Sequence, residues 1–182
     1  MNRHPGGDEH TKRLLELAAL PKGARILDMG AGGGEAVRLM QEAGFCAEGI
    51  DREPRSELVR KGDFLHTDYA EESFDGILSQ CAFFVSGDPA GAVREAGRLL
   101  KPGGILMLSD VFFDRPELPG FCIRQKEDMT ARWREYYLEA LWRCEGDASG
   151  KDETGCGCFP RGKCRYLSLI AVKQEEKDHG FD

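Results

Sequence analysis

The sequence predicts an α/β domain: a doubly wound, mostly parallel sheet with helices on both faces. Three observations carry that reading. Apolar runs of strand length alternate with segments of helical period from residue 9 to residue 110, and strands separated by helices cross over and pair in parallel. Ile26-Leu27 runs into Asp28 and then into glycines at 30, 32, 33 and 34. A second acid, Asp51, ends the next apolar run. An apolar strand ending in an acid and a glycine turn is a place for a nucleotide-like ligand. Glycine lets backbone approach closely and takes positive φ at little cost, and the next helix offers unpaired N–H groups.

The elements follow in order. Residues 1–8 read as a flexible arm, with Pro5, Gly6 and Gly7 in succession. A helix is expected over 9–20, with Leu14, Leu17 and Ala18 on one face and Pro21 ending it. Arg25–Met29 reads as the first strand. Residues 35–43 read as a helix whose Ala36, Val37, Leu39, Met40 and Ala43 face the sheet, closed by Gly44. Phe45–Ile50 is a second strand ending at Asp51, Pro54–Arg60 a short helix or turn, Gly62–Leu65 a short third strand and Asp75–Gln80 a fourth. Asp88 is a good N-cap and Pro89 suits the first helical position. Ala92, Val93, Ala96, Leu99 and Leu100 make the stripe of that helix, Lys101-Pro102-Gly103-Gly104 stops it, and Ile105–Ser109 is a fifth strand ending at Asp110.

Beyond Asp110 the rhythm changes. Arg115–Gly120 is a loop. Met129, Trp133, Tyr136, Tyr137, Ala140, Leu141 and Cys144 keep helical spacing, so a long amphipathic helix is expected over 123–144, its stripe packing on the core. Residues 145–164 are rich in Gly, Asp and Cys. Tyr166–Val172 is a final strand, and 174–182 a charged, frayed tail.

The bulk properties bound the class. A chain of 182 residues fits one domain with a full core. A formal net charge of −7 disfavours nucleic acid as main partner, since phosphate neutralisation needs clustered Lys and Arg. No apolar run approaches the roughly 20 residues that span a bilayer, and Met1–His10 has no apolar signal core. The chain is therefore read as cytoplasmic, without membrane or nucleic-acid partners. Seven cysteines is an odd number for a paired set. Cys46, Cys81 and Cys122 lie in apolar segments, where buried free thiols are ordinary. Cys144, Cys156, Cys158 and Cys164 cluster, but a C-x-C pair is a poor match to zinc-ligand spacing. No metal is expected, and Cys156, Cys158 and Cys164 stand as the weak candidates. Loop thiols, a redox pair or a soft-metal set are the open readings.

The glycine turn separates two ligand classes. The dinucleotide fingerprint needs a third glycine at 35, and Glu35 stands there, where its carboxylate would repel a pyrophosphate. Asp28 ahead of the glycines suits an ammonium group instead. Asp51, 21 residues after Gly30, has the spacing of an acid that accepts from both hydroxyls of a ribose.

Asp28-x-Gly30-x-Gly32-x-Gly34 resembles motif I of the class I S-adenosylmethionine-dependent methyltransferases. Gly62-Asp63-Phe64 with Ser73-Phe74-Asp75, and Glu95 through Pro102-Gly103-Gly104 to Ser109-Asp110, are similar to that family in order and spacing. The resemblance covers about residues 9–113 and implies a Rossmann-like methyltransferase sheet. It implies a cofactor site of Asp28, Gly30, Ala31, Gly32, Asp51, Arg52, Asp63, Phe64 and Gln80, with Asp63 on the adenine amino group and Phe64 over the ring. Gln80 and Cys81 would lie near the reacting methyl.

The cofactor implied is S-adenosylmethionine, with S-adenosylhomocysteine as product. The family's usual antiparallel strands 6 and 7 are only half legible, so strand 6 is expected to be missing or hidden in the Cys-rich loop.

An activated methyl needs mainly an aligned nucleophile, and no catalytic side chain stands out. His10 and His66 could each be a base, and the favoured reading of both is a solvent-exposed side chain. The arm Arg3–Gly7 reads either as a lid over the cofactor or as a tail. Ser79-Gln80-Cys81-Ala82 lacks the Asn-Pro-Pro-Tyr/Phe pattern of amide and exocyclic-amine methylators. A small-molecule acceptor is expected, a thiol or metalloid among the candidates. A non-catalytic cofactor-binding relative and, less favoured, a nicotinamide oxidoreductase are the alternatives. The whole is read as one domain over 1–182: arm 1–8, cofactor core 9–113, variable helix and Cys-rich loop 114–164, final strand 165–173 and tail 174–182.

Overall fold

The structure, a computed structural model, describes residues 4–144 and 163–175. The chain runs through helix α1 (Gly7–Ala18), strand β1 (Arg25–Met29), α2 (Glu35–Glu42), β2 (Cys46–Asp51), β3 (Val59–Lys61), β4 (Phe74–Gln80), α3 (Pro89–Leu99), β5 (Leu100–Phe112), β6 (Phe121–Asp128), α4 (Thr130–Cys144) and β7 (Arg165–Lys173). One seven-stranded sheet has the order β3-β2-β1-β4-β5-β7-β6. The first five strands are parallel. Strand β7 runs antiparallel to both β5 and β6. The doubly wound reading and the antiparallel last strand therefore hold.

Strand β1 shows why the layers form. Its burial is nearly complete, as a central parallel strand requires, and successive side chains take opposite faces. Leu27 and Met29 join the core that contains Ala92, Val93, Ala96 and Leu99 of α3. Ile26 joins the core under α1 and α2, with Leu14, Leu15, Val37 and Met40. Asp28 shares the face of Ile26, so its carboxylate is delivered to the α1/α2 side at the strand's end. Helix α3 starts as expected: the Asp88 carboxylate accepts from the Gly91 N–H at 2.8 Å, with Pro89 in the first turn.

Several expectations are corrected. Strand 6 is present as β6, on residues assigned to the start of the long helix. Seven of its eight residues are exposed or half-buried, and the register shifts between Ile123 and Gln125. A polar edge strand with a bulge carries no alternating pattern, hence the misreading. The helix begins only at Thr130, where Asp128 accepts from the Thr130 N–H at 3.0 Å.

The third strand is Val59–Lys61, and Gly62-Asp63-Phe64 forms the turn after it, where Gly62 N–H donates to the Asp51 carbonyl at 2.9 Å. Helix α1 starts at Gly7 and ends at Ala18. His10, Thr11 and Leu15 are buried on it, whereas Leu17 is exposed. On α2, Ala43 is exposed and Leu39 half-buried. Strand β5 extends back to Leu100, which pairs with Phe74 before Lys101–Gly104 loops out and pairing resumes at Ile105. Cys46 and Cys122 are exposed, at the start of β2 and on edge strand β6, and Cys81 is half-buried. The Ala140, Leu141 and Cys144 side chains, and residues 145–162 with Cys156 and Cys158, lie outside the described residues.

Phe74 anchors the α3 side. It is fully buried, meets the Tyr69 ring edge-on at 5.1 Å and carries the Arg25 guanidinium 4.5 Å from its ring centroid. Phe74→Ala should cost about 3–5 kcal/mol of unfolding free energy, as truncation of a large core side chain does. Urea unfolding checks this, and Phe74→Leu should retain most of the stability.

Candidate functional site

The strand order reverses between β1 and β4, and in open α/β sheets ligands bind outside the carboxyl ends of the strands there. The chain leaves β1 through the glycine turn. Gly30 and Ala31 N–H groups donate to the Ile50 carbonyl at 2.9 and 3.2 Å, tying the turn to β2. Gly30 and Gly32 have φ of 92° and 53°, conformations that disfavour a side chain. A Cβ at Gly30 would overlap the Ala82 methyl, and one at Gly32 would overlap the Arg55 guanidinium. Ala82 and Arg55 thus pack directly against the backbone of the turn at these two glycines. Ala31 is buried, its methyl facing Gly49 of β2, and serves packing.

Asp28 sits beneath this turn, 4% exposed. Its carboxylate has no hydrogen bond from a described residue. Burial, with the Asp51 and Glu35 carboxylates nearby, pushes its pKa up to about 7. Asp51 is at the end of β2. One of its oxygens accepts from Gly32 N–H at 2.8 Å, the other from Glu53 N–H at 2.8 Å. The acid at the expected spacing therefore stands against the glycine turn. Arg52 pairs with Asp63 at 3.0 Å, and Asp63 also accepts from Leu65 N–H at 2.9 Å. Burial opposes ionisation of Asp63, but the Leu65 amide and Arg52 outweigh it and hold its carboxyl below the usual range. Phe64 is buried in the α3-side core, 5.8 Å from the Phe83 ring. A Cβ at Gly30 would meet its Cε1 at 3.7 Å, so the ring also borders the turn.

On the β4 side, the Gln80 Oε1 accepts from Thr11 Oγ1 at 3.1 Å, and its Nε2 lies 3.3 Å from His4 Nδ1. Helix α1 and its approach thereby close over the end of β4. Cys81 follows with φ of 60°, strain typical of functional turns. Its Sγ lies 3.1 Å from Tyr166 Oη, and its N–H donates to the Ser109 carbonyl at 2.9 Å. Tyr166 stacks on Trp133 at 6.0 Å, beside Met129 and the buried Cys164.

Asp110, buried at the end of β5, accepts from Phe84 and Val111 N–H at 3.0 and 2.8 Å. Burial raises its pKa to about 6 despite those bonds. It fixes the turn that leaves β4.

His10 is corrected: it is buried, not exposed. Its Nε2 lies 2.9 Å from Ser109 Oγ and 3.3 Å from Ser168 Oγ. Burial first, then His4, Arg13 and Arg132, depress its pKa to about 4. His66 is exposed, 3.8 Å from Asp63. Reading the sequence missed the contacts of His4, Thr11 and Tyr166 because each acts across sequence separations with no local motif. Among the described residues no group of three or more His, Cys, Asp or Glu side chains could hold a metal.

The fold is that of a class I S-adenosylmethionine-dependent methyltransferase, with Asp28, Asp51 and Asp63 gathered at or just beyond the carboxyl ends of β1, β2 and β3. The chain belongs to the methyltransferase domain family, whose profile matches residues 6–182. The cofactor of that family is S-adenosylmethionine. An arsenite methyltransferase of Aquipseudomonas alcaligenes is 33% identical over 126 residues, 56% of this chain and 36% of that protein. The first curated relatives are matched over 36% to 56% of their own lengths. A putative sarcosine dimethylglycine methyltransferase from Galdieria sulphuraria shares the fold with TM-score 0.72 and 22% identity, over 94% of this chain and 86% of that one. Haemonchus contortus phosphoethanolamine N-methyltransferase 2, solved with S-adenosyl-L-methionine, shares it with TM-score 0.68 and 20% identity, over 95% and 54%.

The raised pKa of Asp28 fixes the sign of a stability effect. The native carboxyl binds its proton until about pH 7, against an ordinary value of 3.8, so stability falls as pH rises through that window. Asp28→Asn should stabilise the free protein at about pH 8, on the order of 2–4 kcal/mol. The gain should fade as pH falls toward about 4. Thermal and urea unfolding across pH check it.

Proposed function

We propose that this chain transfers the methyl group of S-adenosylmethionine to a small molecule. The observation that carries the reading is the buried Asp28 carboxylate, lacking a hydrogen bond from described residues, beneath the glycine turn at the switch point of the sheet. The donor set fits the cofactor. Asp28 would hold its ammonium group, Gly30 and Gly32 would pass its amino-acid portion, and Asp51 would accept from the ribose hydroxyls. Arg52, Asp63 and Phe64 would border the base, and Gln80 would stand on the methyl side. When bound, the cofactor supplies a methyl already activated by a sulfonium, so the protein's work is alignment.

The chain's own residues set that alignment. Thr11 fixes the Gln80 amide, Asp110 fixes the turn after β4, and the Cys81–Tyr166 contact holds the backbone between them. The net charge of −7 disfavours a polyanionic acceptor. A thiol, a metalloid and a small amine are the acceptors the reading admits. No helix among the described residues is long and apolar enough to cross a membrane.

Asp51→Ala should weaken S-adenosylmethionine binding by about tenfold or more, the scale of one charge-assisted hydrogen bond, as read by titration calorimetry. A loss under about twofold would count against the ribose role. In a turnover assay with dimethylglycine, sarcosine, arsenite and small thiols, S-adenosylhomocysteine should accumulate with at least one acceptor. Tight cofactor binding with no product across the panel would favour a non-catalytic cofactor-binding protein.

A further inference from the structure

The connection from β3 to β4 carries Asp63 and Phe64, and it contains no helix. Residues 62–73 run from the carboxyl end of β3 to the start of β4 as irregular chain. A crossover between parallel strands is ordinarily shaped by a helix within it. This one is shaped by side-chain tethers. Its first part is a tight turn, in which the Asp63 carbonyl accepts from His66 N–H at 3.1 Å and Asp63 Oδ1 from Leu65 N–H at 2.9 Å. The Arg52 side chain that pairs with Asp63 is 52% exposed, and an exposed ion pair holds little by itself.

The residue after the turn, Thr67, is bound to α3. Glu95 Oε1 accepts from Thr67 N–H at 3.1 Å and from Thr67 Oγ1 at 2.7 Å. Arg98 donates to the same carboxylate, from Nη2 to Oε1 at 2.7 Å and from Nε to Oε2 at 2.9 Å. It also donates to Thr67 Oγ1 at 3.2 Å and to the Tyr69 carbonyl at 2.9 Å. The Glu95 side chain is 11% exposed. Burial opposes its ionisation, but Arg98 and Thr67 outweigh it and hold its carboxyl below the usual range. An i, i+3 pair that served only its helix would stay on the helix surface. Glu95 and Arg98 instead reach the crossover at two residues.

We propose that Glu95 and Arg98 are positioning residues for the adenine end of the cofactor, a role that rests on the reading of Asp63 and Phe64 above. They act through Thr67. With its N–H and hydroxyl held on α3, the preceding His66 N–H is aimed at the Asp63 carbonyl, and the turn presents the Asp63 carboxylate in one place. Released from Glu95, the turn keeps Phe64 in the core but loses the fixed height of Asp63.

The test is discrimination at the base. S-inosylhomocysteine carries an oxygen where S-adenosylhomocysteine carries the adenine amino group, so the Asp63 carboxylate meets an acceptor instead of a donor. The ribose, the ammonium group and stacking on Phe64 are common to both ligands and cancel in the ratio of dissociation constants. Titration calorimetry of the full chain should show S-adenosylhomocysteine bound at least about tenfold more tightly. In Glu95→Ala and in Thr67→Val the ratio should fall to about threefold or less, with the inosyl ligand within about twofold of its wild-type affinity. Thr67→Ser, which keeps the hydroxyl, should retain the wild-type ratio. Thr67→Val leaves the Glu95–Arg98 pair in place and carries the test should Glu95→Ala fail to fold. A purely structural role would lower both affinities alike and leave the ratio unmoved. A wild-type ratio in Thr67→Val, or a ratio lost equally in Thr67→Ser, overturns the positioning role. Equal binding of the two ligands by the wild type removes the adenine role of Asp63 and the inference with it, and failure of both to bind removes the cofactor reading itself.

Discussion

The structure turns on a buried carboxylate without a hydrogen bond from any described residue. Asp28 is 4% exposed and has two further carboxylates, Asp51 and Glu35, close enough to raise its pKa. Burial of an unpaired charge is among the costlier things a fold can do. The surrounding elements enforce it. Strand β1 is pinned between β2 and β4, and strand alternation leaves Asp28 no other face. The glycine turn above it is fastened to Ile50 and Asp51. The Asp28 carboxyl is thus held against its own electrostatics, which marks it as the site candidate.

Selectivity follows from the same arrangement. A turn lined by acids is hostile to a pyrophosphate and hospitable to an amino acid bearing an ammonium group. Asp51 belongs to the same unit, because the Gly32 amide it accepts from is part of the turn. On the far side of the crevice, Thr11 of α1 and His4 just before the helix reach Gln80. The N-terminal segment is thus part of the wall at the end of β4.

How much of this was legible in the sequence depended on locality. Asp28, Gly30, Gly32 and Asp51 were readable because a strand, a turn and the next strand fix their spacing within one supersecondary unit. The start of α3 was readable because Asp88 and Pro89 act on their own turn. Strand β6 was not, since an exposed edge strand with a bulge buries too little to imprint a period of two. His10 was not, since what buries it are serines 99 and 158 residues away. Phe64 packs on Phe83 in the core and also borders the glycine turn, a pairing across the sequence that no local motif carries.

The central claim is that Asp28 ionises to meet a ligand's ammonium group. Titration of S-adenosylhomocysteine near pH 7, in buffers of different ionisation enthalpy, counts the protons exchanged on binding. With a carboxyl poised at about pH 7, about half a proton per site should be released there, fading by about pH 9 and absent in Asp28→Asn. Binding that releases no proton near pH 7, or releases the same number in Asp28→Asn, would contradict the account.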